Sequence, residues 1–248
     1  MKLKVLVAGE TEVTTGLHVK GFSVYQTGRY EDEMVELREA LESGGCEVRH
    51  IPNHDAPRHF PTTVQEMQQF NVIVLSDISS DTLLLHPDTL YKSLKTPNRL
   101  ECLAEYVQAG GGFAMIGGWM SFAGRGGQAR YHSTGIEEIL PVSIAAIDDR
   151  VETPQGVIPK VMTKHDIIAG IPEPWPYFVG YNKLTAKKDS TVVLSCNNDP
   201  FLTVAQKGKG RAGAFASDCS PHWASREFLG WEHYGPFWNN FVKWLARG

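Results

Sequence analysis

The sequence predicts an α/β fold built on a mostly parallel sheet, followed by a second half richer in strands. Three runs of continuous apolar residues, 3–8, 72–75 and 113–116, have the length of buried strands. Residues 31–43 and 99–109 repeat apolar side chains at helical spacing. Continuous apolar strands that alternate with helices are typical of a parallel sheet covered on both faces. We therefore expect a flavodoxin-like, doubly wound sheet with helices on both faces.

Local signals support each element of the first half in order. The strand over 3–8 ends at Gly9, and the helix over 31–43 is stopped by a glycine pair. Residues 46–51 alternate as a half-buried strand does. Thr63 and Glu66 have the spacing of a capping box, which predicts a short helix beginning there.

The second half combines further strand signals with one closing helix. A Lys-Gly-Lys-Gly sequence over 207–210 predicts a hairpin turn. Residues 236–246 predict a helix that buries Phe237, Phe241, Trp244 and Leu245. No linker interrupts the chain, so we expect one domain over residues 1–248. The candidate strands are residues 142–147, 192–195, 201–206 and 211–217.

Composition limits the classes of function. The chain has 248 residues, of which 42% are hydrophobic and 21% charged, and this composition is typical of a globular protein. Its formal net charge is −4, which argues against a nucleic-acid or anionic-membrane partner. No apolar run approaches the ~20 residues of a membrane span, and the N-terminus lacks a signal-peptide pattern. We therefore expect a cytoplasmic protein.

The cysteines and histidines do not form a metal-ligand pattern. Cys46, Cys102, Cys196 and Cys219 lie far apart and form no CxxC motif, so reduced thiols are the simplest interpretation. A histidine-rich stretch over 50–59 is irregularly spaced and interrupted by prolines, which favours a solvated loop over a metal site. We expect neither a metal nor a cofactor.

Chemically capable side chains follow four of the predicted strands. Ligands bind beyond the carboxyl ends of strands in open parallel sheets. If the sheet forms as predicted, these groups converge on one rim. They are Glu10, the Ser76–Asp77 pair, the segment from Gly117 to Ser121, and the segment from Asp218 to Trp223.

A glycine triplet, an apolar strand and a small-residue turn over 110–118 have the form of a nucleophile elbow. Together with a late loop that carries a histidine, this order of elements resembles the class I glutamine amidotransferase-like superfamily, in the branch related to trehalose-utilisation-type proteins. The resemblance covers nearly the whole chain. The supporting segments are VLSDI (74–78), IGGWMSF (116–122), YHST (131–134), LPV (140–142) and DCSPHW (218–223).

The resemblance implies a triad that this chain does not complete. Active members of the superfamily carry a cysteine at the elbow, and residues 117–120 contain no Cys, Ser or Thr. The family's histidine matches His222, but Ala224 occupies the position of its acidic partner. We therefore expect a degenerate active site without glutaminase activity, because the attacking thiolate is missing.

Two residues are candidates to replace the missing nucleophile. Ser121 could attack with His222 as its base, or it could cap the helix that follows the elbow. Cys219 stands three residues before His222, whose positive charge would make the thiol reactive, or it could be a buried structural thiol.

The remaining candidates are ligand-binding residues of the rim and of a glycine-rich segment beside it. Residues 124–127 with Arg130 could cradle an anion or form a flexible lid. The predicted ligand-binding residues are Glu10, Asp77, Gly117, Gly118, Trp119, Met120, Arg130, Tyr131, His132, Asp218 and Trp223.

Three functions follow from these residues. The first is a protein without glutaminase activity that binds a small polar metabolite or a partner at the rim. The alternative is a small-molecule hydrolase that uses His222 with Ser121 or Cys219. The third is an interaction subunit of an enzyme, which the missing cysteine weakens. A homo-oligomer is expected because the chain is rich in aromatic residues and an open sheet edge needs cover.

Overall fold

The computed structural model describes residues 2–247 as an eight-stranded sheet, three two-stranded ribbons and nine α-helices. The strands are β1 (Lys4–Gly9), β2 (Thr11–Lys20), β3 (Ser23–Asp32), β4 (Glu47–Ile51), β5 (Val72–Ser76), β6 (Gly112–Ile116), β7 (Val142–Ser143), β8 (Arg150–Val157), β9 (Lys160–Val161), β10 (Phe178–Asn182), β11 (Thr185–Ala186), β12 (Thr191–Cys196), β13 (Asp199–Lys207) and β14 (Gly210–Phe215). The helices are α1 (Val35–Ser43), α2 (Ala56–His59), α3 (Val64–Met67), α4 (Ser80–Leu84), α5 (Pro87–Lys92), α6 (Arg99–Gln108), α7 (Gly135–Ile139), α8 (Arg226–Leu229) and α9 (Tyr234–Leu245).

The large sheet has the order β4-β1-β5-β6-β14-β13-β12-β9. The first five of these strands are parallel, and the last three continue the sheet in antiparallel fashion. This arrangement confirms the predicted fold class, including the strand-rich second half. It also places the carboxyl ends of β1, β5, β6 and β14 side by side on one edge.

Helices cover both faces of this sheet. On one face α9 packs against β6 and β14 and also against α1. The contact between α1 and α9 includes a hydrogen bond from Asn239 Nδ2 to the Ala40 carbonyl oxygen, 2.8 Å long. On the other face α6 lies with α3, α4 and α7. No helix within residues 2–247 is both long and apolar enough to span a membrane.

The predicted signals for helix starts and turns have a clear structural basis. The Thr63 hydroxyl accepts the Glu66 amide proton at the start of α3, as a capping box requires. The Glu66 carboxylate reaches the Thr62 amide instead of that of Thr63, at 2.7 Å. At the predicted hairpin, Lys207 pairs with Gly210, and Gly208 takes the left-handed conformation that a tight turn needs.

The predicted strand over residues 142–147 is wrong beyond its first two residues. Only Val142–Ser143 pairs, as β7 with β11. Side chains take the place of a neighbouring strand at Ile144, because Glu137 accepts its amide proton at 2.7 Å and the His132 ring bonds its carbonyl oxygen at 2.9 Å. Local polar partners therefore satisfy this backbone without a longer strand.

The predicted helix over 31–43 begins later than expected. Residues 23–32 form β3, which pairs with β2 along ten residue pairs, and α1 starts at Val35. The ribbon of β2 and β3 leaves the large sheet directly after β1. The spacing of apolar residues along the sequence did not predict this ribbon.

Candidate functional site

A cleft of about 510 Å³ opens at the rim where β1, β5, β6 and β14 end. Five of the residues predicted for the site line this cleft, namely Asp77, Trp119, Met120, Asp218 and His222. The other lining residues are Thr11, Glu12, Glu33, Asn53, Arg125 and Gln128. The cleft is therefore the meeting point of the strand ends that the sequence singles out.

Unusual backbone conformations mark this rim. Glu10 and Asp77 follow β1 and β5 with φ of 54° and 43°, and His222 has a φ of 148°. Residues with side chains seldom adopt these conformations, and such strain concentrates at functional sites. Gly9, with φ 115°, is required beside them because a Cβ there would lie 1.7 Å from the Ser76 carbonyl oxygen.

A buried group of hydrogen-bonded carboxyls lies beneath the cleft. The Ser220 hydroxyl lies 2.9 Å from Glu10 Oε2 and 3.1 Å from Asp218 Oδ1, and the Ser76 hydroxyl donates to Glu10 Oε1. Burial, followed by repulsion from the neighbouring carboxylates, raises the pKa of Glu10 and of Asp218 well above their usual range. The pKa of Asp77 is raised by the same desolvation. Unpaired negative charge is therefore costly in this site, and a bound cation would offset that cost by stabilising the ionised carboxyls.

Among residues 2–247, the one group with the composition of a metal site is Glu10, Asp218 and Cys219, whose ligand atoms lie within 4.8 Å of one another. All three side chains are buried, and serine hydroxyls already contact the carboxyl oxygens. The arrangement is that of a hydrogen-bonded acid pair.

His222 contacts an acid and two aromatic rings. Its Nδ1 lies 3.5 Å from Asp218 Oδ2. Burial lowers the pKa of His222 and raises that of Asp218, which favours the neutral form of both. The imidazole meets Trp119 edge-on at 4.8 Å and stacks on Trp223 at 5.1 Å. Glu152 accepts the indole N–H of both tryptophans, at 3.2 and 3.0 Å, and so fixes the aromatic wall.

The loop after β6 is held by two buried polar residues that the sequence did not indicate. Asn182 Oδ1 accepts the Gly118 amide proton at 3.1 Å, and Asn182 Nδ2 donates to Asp149 Oδ1 at 2.8 Å. Asp149 in turn accepts the amide protons of Ala123 and Gly124 at 3.0 and 2.9 Å. This network positions the segment that carries Trp119.

Gly118 lies in the turn after β6, within residues 117–120, the segment in which the resemblance places the nucleophile. Its φ is 146°, and a Cβ at this position would lie 2.6 Å from Asp77 Oδ1. Asp77 Oδ1 instead accepts the Met120 amide proton at 2.5 Å. A side chain on residue 118 would therefore collide with this carboxylate.

Ser121 and Cys219 are both buried and do not contact His222 through a hydrogen bond in the described chain. The Ser121 hydroxyl donates to the Ile116 carbonyl oxygen at 2.6 Å and accepts the Asp77 amide proton at 3.1 Å. It therefore ties β6 to the turn after β5. The Cys219 thiol lies 3.8 Å from the Ser76 hydroxyl.

We expect Cys219 to resist alkylation in the native protein. Burial, together with the nearby Glu10 carboxyl, raises the pKa of the thiol, and the thiolate is the reactive species. Peptide mass spectrometry after iodoacetamide treatment near pH 7.5 should show no label on Cys219, and full label once the chain is unfolded. Rapid labelling of the folded protein would contradict this placement.

Three of the predicted ligand-binding residues lie away from the cleft. Arg130 pairs with Asp81 at 3.1 Å and lines a separate groove together with His132. Tyr131 is buried, and its hydroxyl donates to the Ile78 carbonyl oxygen at 2.7 Å. The Arg-Tyr-His sequence is thus split between the surface and the core.

Three further predicted residues support the cleft from below. Trp223 is buried against Gly180, where a Cβ would lie 2.2 Å from the indole nitrogen. The Gly117 amide donates to the Phe215 carbonyl oxygen at 2.8 Å and so joins β6 to β14. Glu10 lies in the buried carboxyl group already described.

Glu33 is a further acid of the cleft, and burial with repulsion from Asp77 raises its pKa to about 7. Between its usual pKa of 4.5 and this value, the folded chain holds a proton that the unfolded chain releases. The stability contributed by Glu33 is therefore lost as the pH rises through that window.

We expect Glu33→Gln to be more stable than the wild type at pH 8 and equally stable at pH 4.5. Allowing for solvent screening, the gain should be on the order of 1 kcal/mol, which is roughly 2–4 °C in a chain of this size. Thermal unfolding at both pH values measures it. An equal gain at both would show that the effect is not a titration of Glu33.

Sequence reasoning did not find Glu12, Glu33, Asn53, Asp149 and Asn182. Each stands outside the strand-end motifs. They reach the site through the packing of four other parts of the chain: the β2–β3 ribbon, the loop after β4, the segment before β8 and strand β10. The one sequence signal for Glu12 and Glu33 was their position as acids near the two ends of the segment that forms the β2–β3 ribbon.

Comparison with solved structures gives two close relatives. The chain is 39% identical to the protein named "Cytoplasmic Protein STM3548 from Salmonella typhimurium", with a TM-score of 0.95 over 99% of this chain and 100% of that one. It is 40% identical to "Cytoplasmic Protein STM1381 from Salmonella typhimurium LT2", with a TM-score of 0.93 over 98% and 99%. A ThuA-like protein from Parabacteroides merdae shares the fold at 12% identity, with a TM-score of 0.58 over 99% and 90%.

No protein with a curated description matches the chain. A family model described as "Putative glutamine amidotransferase" matches residues 4–247, which is nearly the whole sequence. The match agrees with the parallel sheet, the elbow-like turn after β6 and the relatives above. The chain therefore belongs to the GATase1-like family of glutamine amidotransferase-like proteins.

Proposed function

We propose that the protein binds a small, hydroxyl-rich metabolite that carries an amine, without hydrolysing glutamine. The observation that carries the proposal is the convergence of four carboxyl side chains, Glu12, Glu33, Asp77 and Asp218, on one cleft. Carboxyl groups accept hydrogen bonds from hydroxyl and ammonium groups, and charge-assisted bonds of this kind are the stronger ones.

The basic groups of the cleft are fewer than its acids. One guanidinium, that of Arg125, lines the cleft against four carboxyl groups, and it lies over the Trp119 ring, 4.4 Å from its centroid. Burial lowers the pKa of His222, so its ring is neutral near pH 7. A volume of about 510 Å³ suits a small metabolite. The site therefore favours a cationic ligand over a neutral one, and a neutral ligand over an anion.

Nucleophilic hydrolysis has less support than binding. Residues 117–120 contain no Cys, Ser or Thr. Ser121 uses its hydroxyl to join two turns, and the Cys219 thiol is buried beneath the carboxyls. A general base acts on a nucleophile within about 2.6–3.2 Å, and His222 is bonded to neither candidate in the described chain.

Calorimetric titration with three matched probes tests the proposal. Glucosamine, glucose and glucose 6-phosphate share one ring and differ in charge. We expect affinity to fall in that order, and we expect no ammonia release from glutamine. Equal binding of the three, preferred binding of the phosphate, or measurable glutaminase activity would overturn the proposal.

We also propose that the protein acts in the cytoplasm. The support is the composition of the chain and its likeness to two Salmonella proteins that are named cytoplasmic. Cell fractionation with an antibody to the native chain tests this location. Recovery in an extracytoplasmic fraction would contradict it.

A further inference from the structure

The ribbon formed by β2 and β3 is an arm that the rest of the described chain leaves uncovered. Every residue from Glu12 to Tyr30 is exposed except Gly16, which is partly buried. The arm begins at Thr11, which lines the cleft together with Glu12, and residues 13–32 of the arm do not line it. Its length and exposure suggest a surface that another molecule covers.

The two faces of the arm differ in chemistry because strand residues alternate between faces. Val13 pairs with Tyr30, Leu17 with Gln26 and Val19 with Val24, so the side chains of these pairs lie on the same face of the ribbon. That apolar face carries Val13, Leu17, Val19, Val24 and Tyr30, with Phe22 fully exposed at the turn.

The opposite face is polar and forms its own interactions. His18 stacks on Tyr25 at 4.7 Å and bonds Thr27 Oγ1 at 3.0 Å. Arg29 pairs with Glu31 at 2.7 Å. On the apolar face, Tyr30 near the base meets the His54 ring of the body edge-on, with ring centroids 5.4 Å apart. The polar side chains thus contact one another and water, whereas the other apolar side chains of the arm lack comparable partners within residues 2–247.

An uncovered apolar ribbon is unfavourable on two grounds. An isolated two-stranded hairpin is at best marginally stable in water. Leu17 and Val19 are 65% and 64% exposed, far above what a core-facing strand position shows. Contiguous apolar patches of this kind mark interaction sites.

We propose that the apolar face of this arm packs against the same face of a second copy of this chain, in a two-fold symmetric dimer. The exposed apolar side chains of the arm offer on the order of 800 Å², which is about what each partner buries in a standard interface. The surface required of each copy is therefore already present on the arm.

The charge distribution along the arm fits an antiparallel arrangement of the two copies. The base carries Glu12, Glu31 and Asp32, with Arg29 paired to Glu31, whereas Lys20 lies at the tip. Glu12, Lys20 and Glu31 lie on the polar face, so in a two-fold dimer formed through the apolar faces each basic tip meets the acidic base of the other copy at the edge of the contact. Complementary charges of this kind fix register more than they add affinity.

Leu17→Glu, in the middle of the apolar face, tests the proposal in the full-length protein. Thr14→Glu is the matched control, since it adds the same charge on the polar face of the same strand, opposite Arg29. Analytical ultracentrifugation should give twice the chain mass of 27.5 kDa for the wild type and for Thr14→Glu. Leu17→Glu should weaken association by at least roughly 100-fold.

A second variant keeps the test decisive if the substitution disturbs the arm itself. Replacing residues 15–28 by Asn-Gly shortens the ribbon and joins Thr14 to Arg29 through a two-residue turn. This variant should be a folded monomer with an unchanged far-ultraviolet spectrum from the body. A monomeric wild type, a wild type that instead binds lipid vesicles, or a Leu17→Glu variant that stays dimeric would overturn the proposal.

Discussion

Asp77→Asn should weaken binding of a cationic ligand by about 10- to 100-fold, which corresponds to the loss of a charge-assisted bond of roughly 1.5–3 kcal/mol. Asp77 lines the cleft at the end of β5. Asparagine tolerates the left-handed backbone at this position, where φ is 43°, and its side-chain oxygen can keep the bond from the Met120 amide. The backbone of the site should therefore survive the change.

The same variant should be more stable than the wild type at pH 8. Burial raises the pKa of Asp77, so ionising this group in the folded chain costs free energy that an amide does not incur. This gain should disappear as the pH falls below the usual pKa of 3.8, where both states are protonated. Calorimetric titration and thermal unfolding measure the two effects on one preparation.

Asp81→Asn is the control for Asp77→Asn. Asp81 is exposed and pairs with Arg130 in a separate groove, so the same chemical change there should leave glucosamine affinity unaltered. Equal losses in both variants would indicate a long-range charge effect. An unchanged affinity in Asp77→Asn would remove this carboxylate from the proposed site.

Asp149→Ala should destabilise the protein by about 2–4 kcal/mol, or roughly 5–15 °C in melting temperature. The buried Asp149 carboxylate accepts amide protons from Ala123 and Gly124 and a bond from Asn182. Removing it leaves the Ala123 and Gly124 amides without a partner, while Asn182 Nδ2 keeps a 3.3 Å bond to the Gly118 carbonyl oxygen. Each unsatisfied buried donor costs about 1–3 kcal/mol before the structure relaxes. Ligand affinity should fall as well, because the loop that carries Trp119 loses its anchor.

Asp148→Ala is a closely matched control because it changes the neighbouring residue. Asp148 is exposed, pairs with Arg150 at 2.8 Å and accepts the Gly126 amide proton at 2.7 Å. Water can replace the bond to this exposed amide, and a surface ion pair contributes about 0–1 kcal/mol. Denaturant unfolding should therefore give a clearly lower free energy of unfolding for Asp149→Ala than for Asp148→Ala. Similar stabilities would show that Asp149 does not anchor the loop, and a normal loop would then require another support.

The chain keeps the fold of its family, and residues 117–120, the segment in which the resemblance places the nucleophile, contain no Cys, Ser or Thr. Gly118 lies at the turn after β6, and the Asp77 carboxylate lies where a side chain from that turn would point. His222 has Asp218 beside it, four residues earlier in the chain, at 3.5 Å. Asp218 thus stands beside His222 in place of the acid that is missing at Ala224. No side chain of residues 117–120 replaces the missing cysteine thiol. This combination supports a binding site more than a hydrolytic one.

Much of the parallel sheet could be predicted because its determinants are local. Buried parallel strands are continuous apolar runs, and β1, β5 and β6 lie within one residue of the predicted bounds. The rim followed from these strands, since parallel strands end on one edge. The order of elements and a few segments indicated the family, and the missing cysteine was visible at once.

The sequence by itself thus determined the fold class, the family and the positions of Asp77, Trp119, Asp218 and His222 at strand ends. Only the tertiary structure decided which groups face the cleft. It buried Ser121 and Cys219, placed Arg130 and His132 at a separate groove, and brought in Glu33. The physical reason is the sequence distance over which the determining interactions act. Strands and turns follow from neighbouring residues, whereas the burial, hydrogen-bond partners and pKa of a side chain depend on segments far apart in the chain.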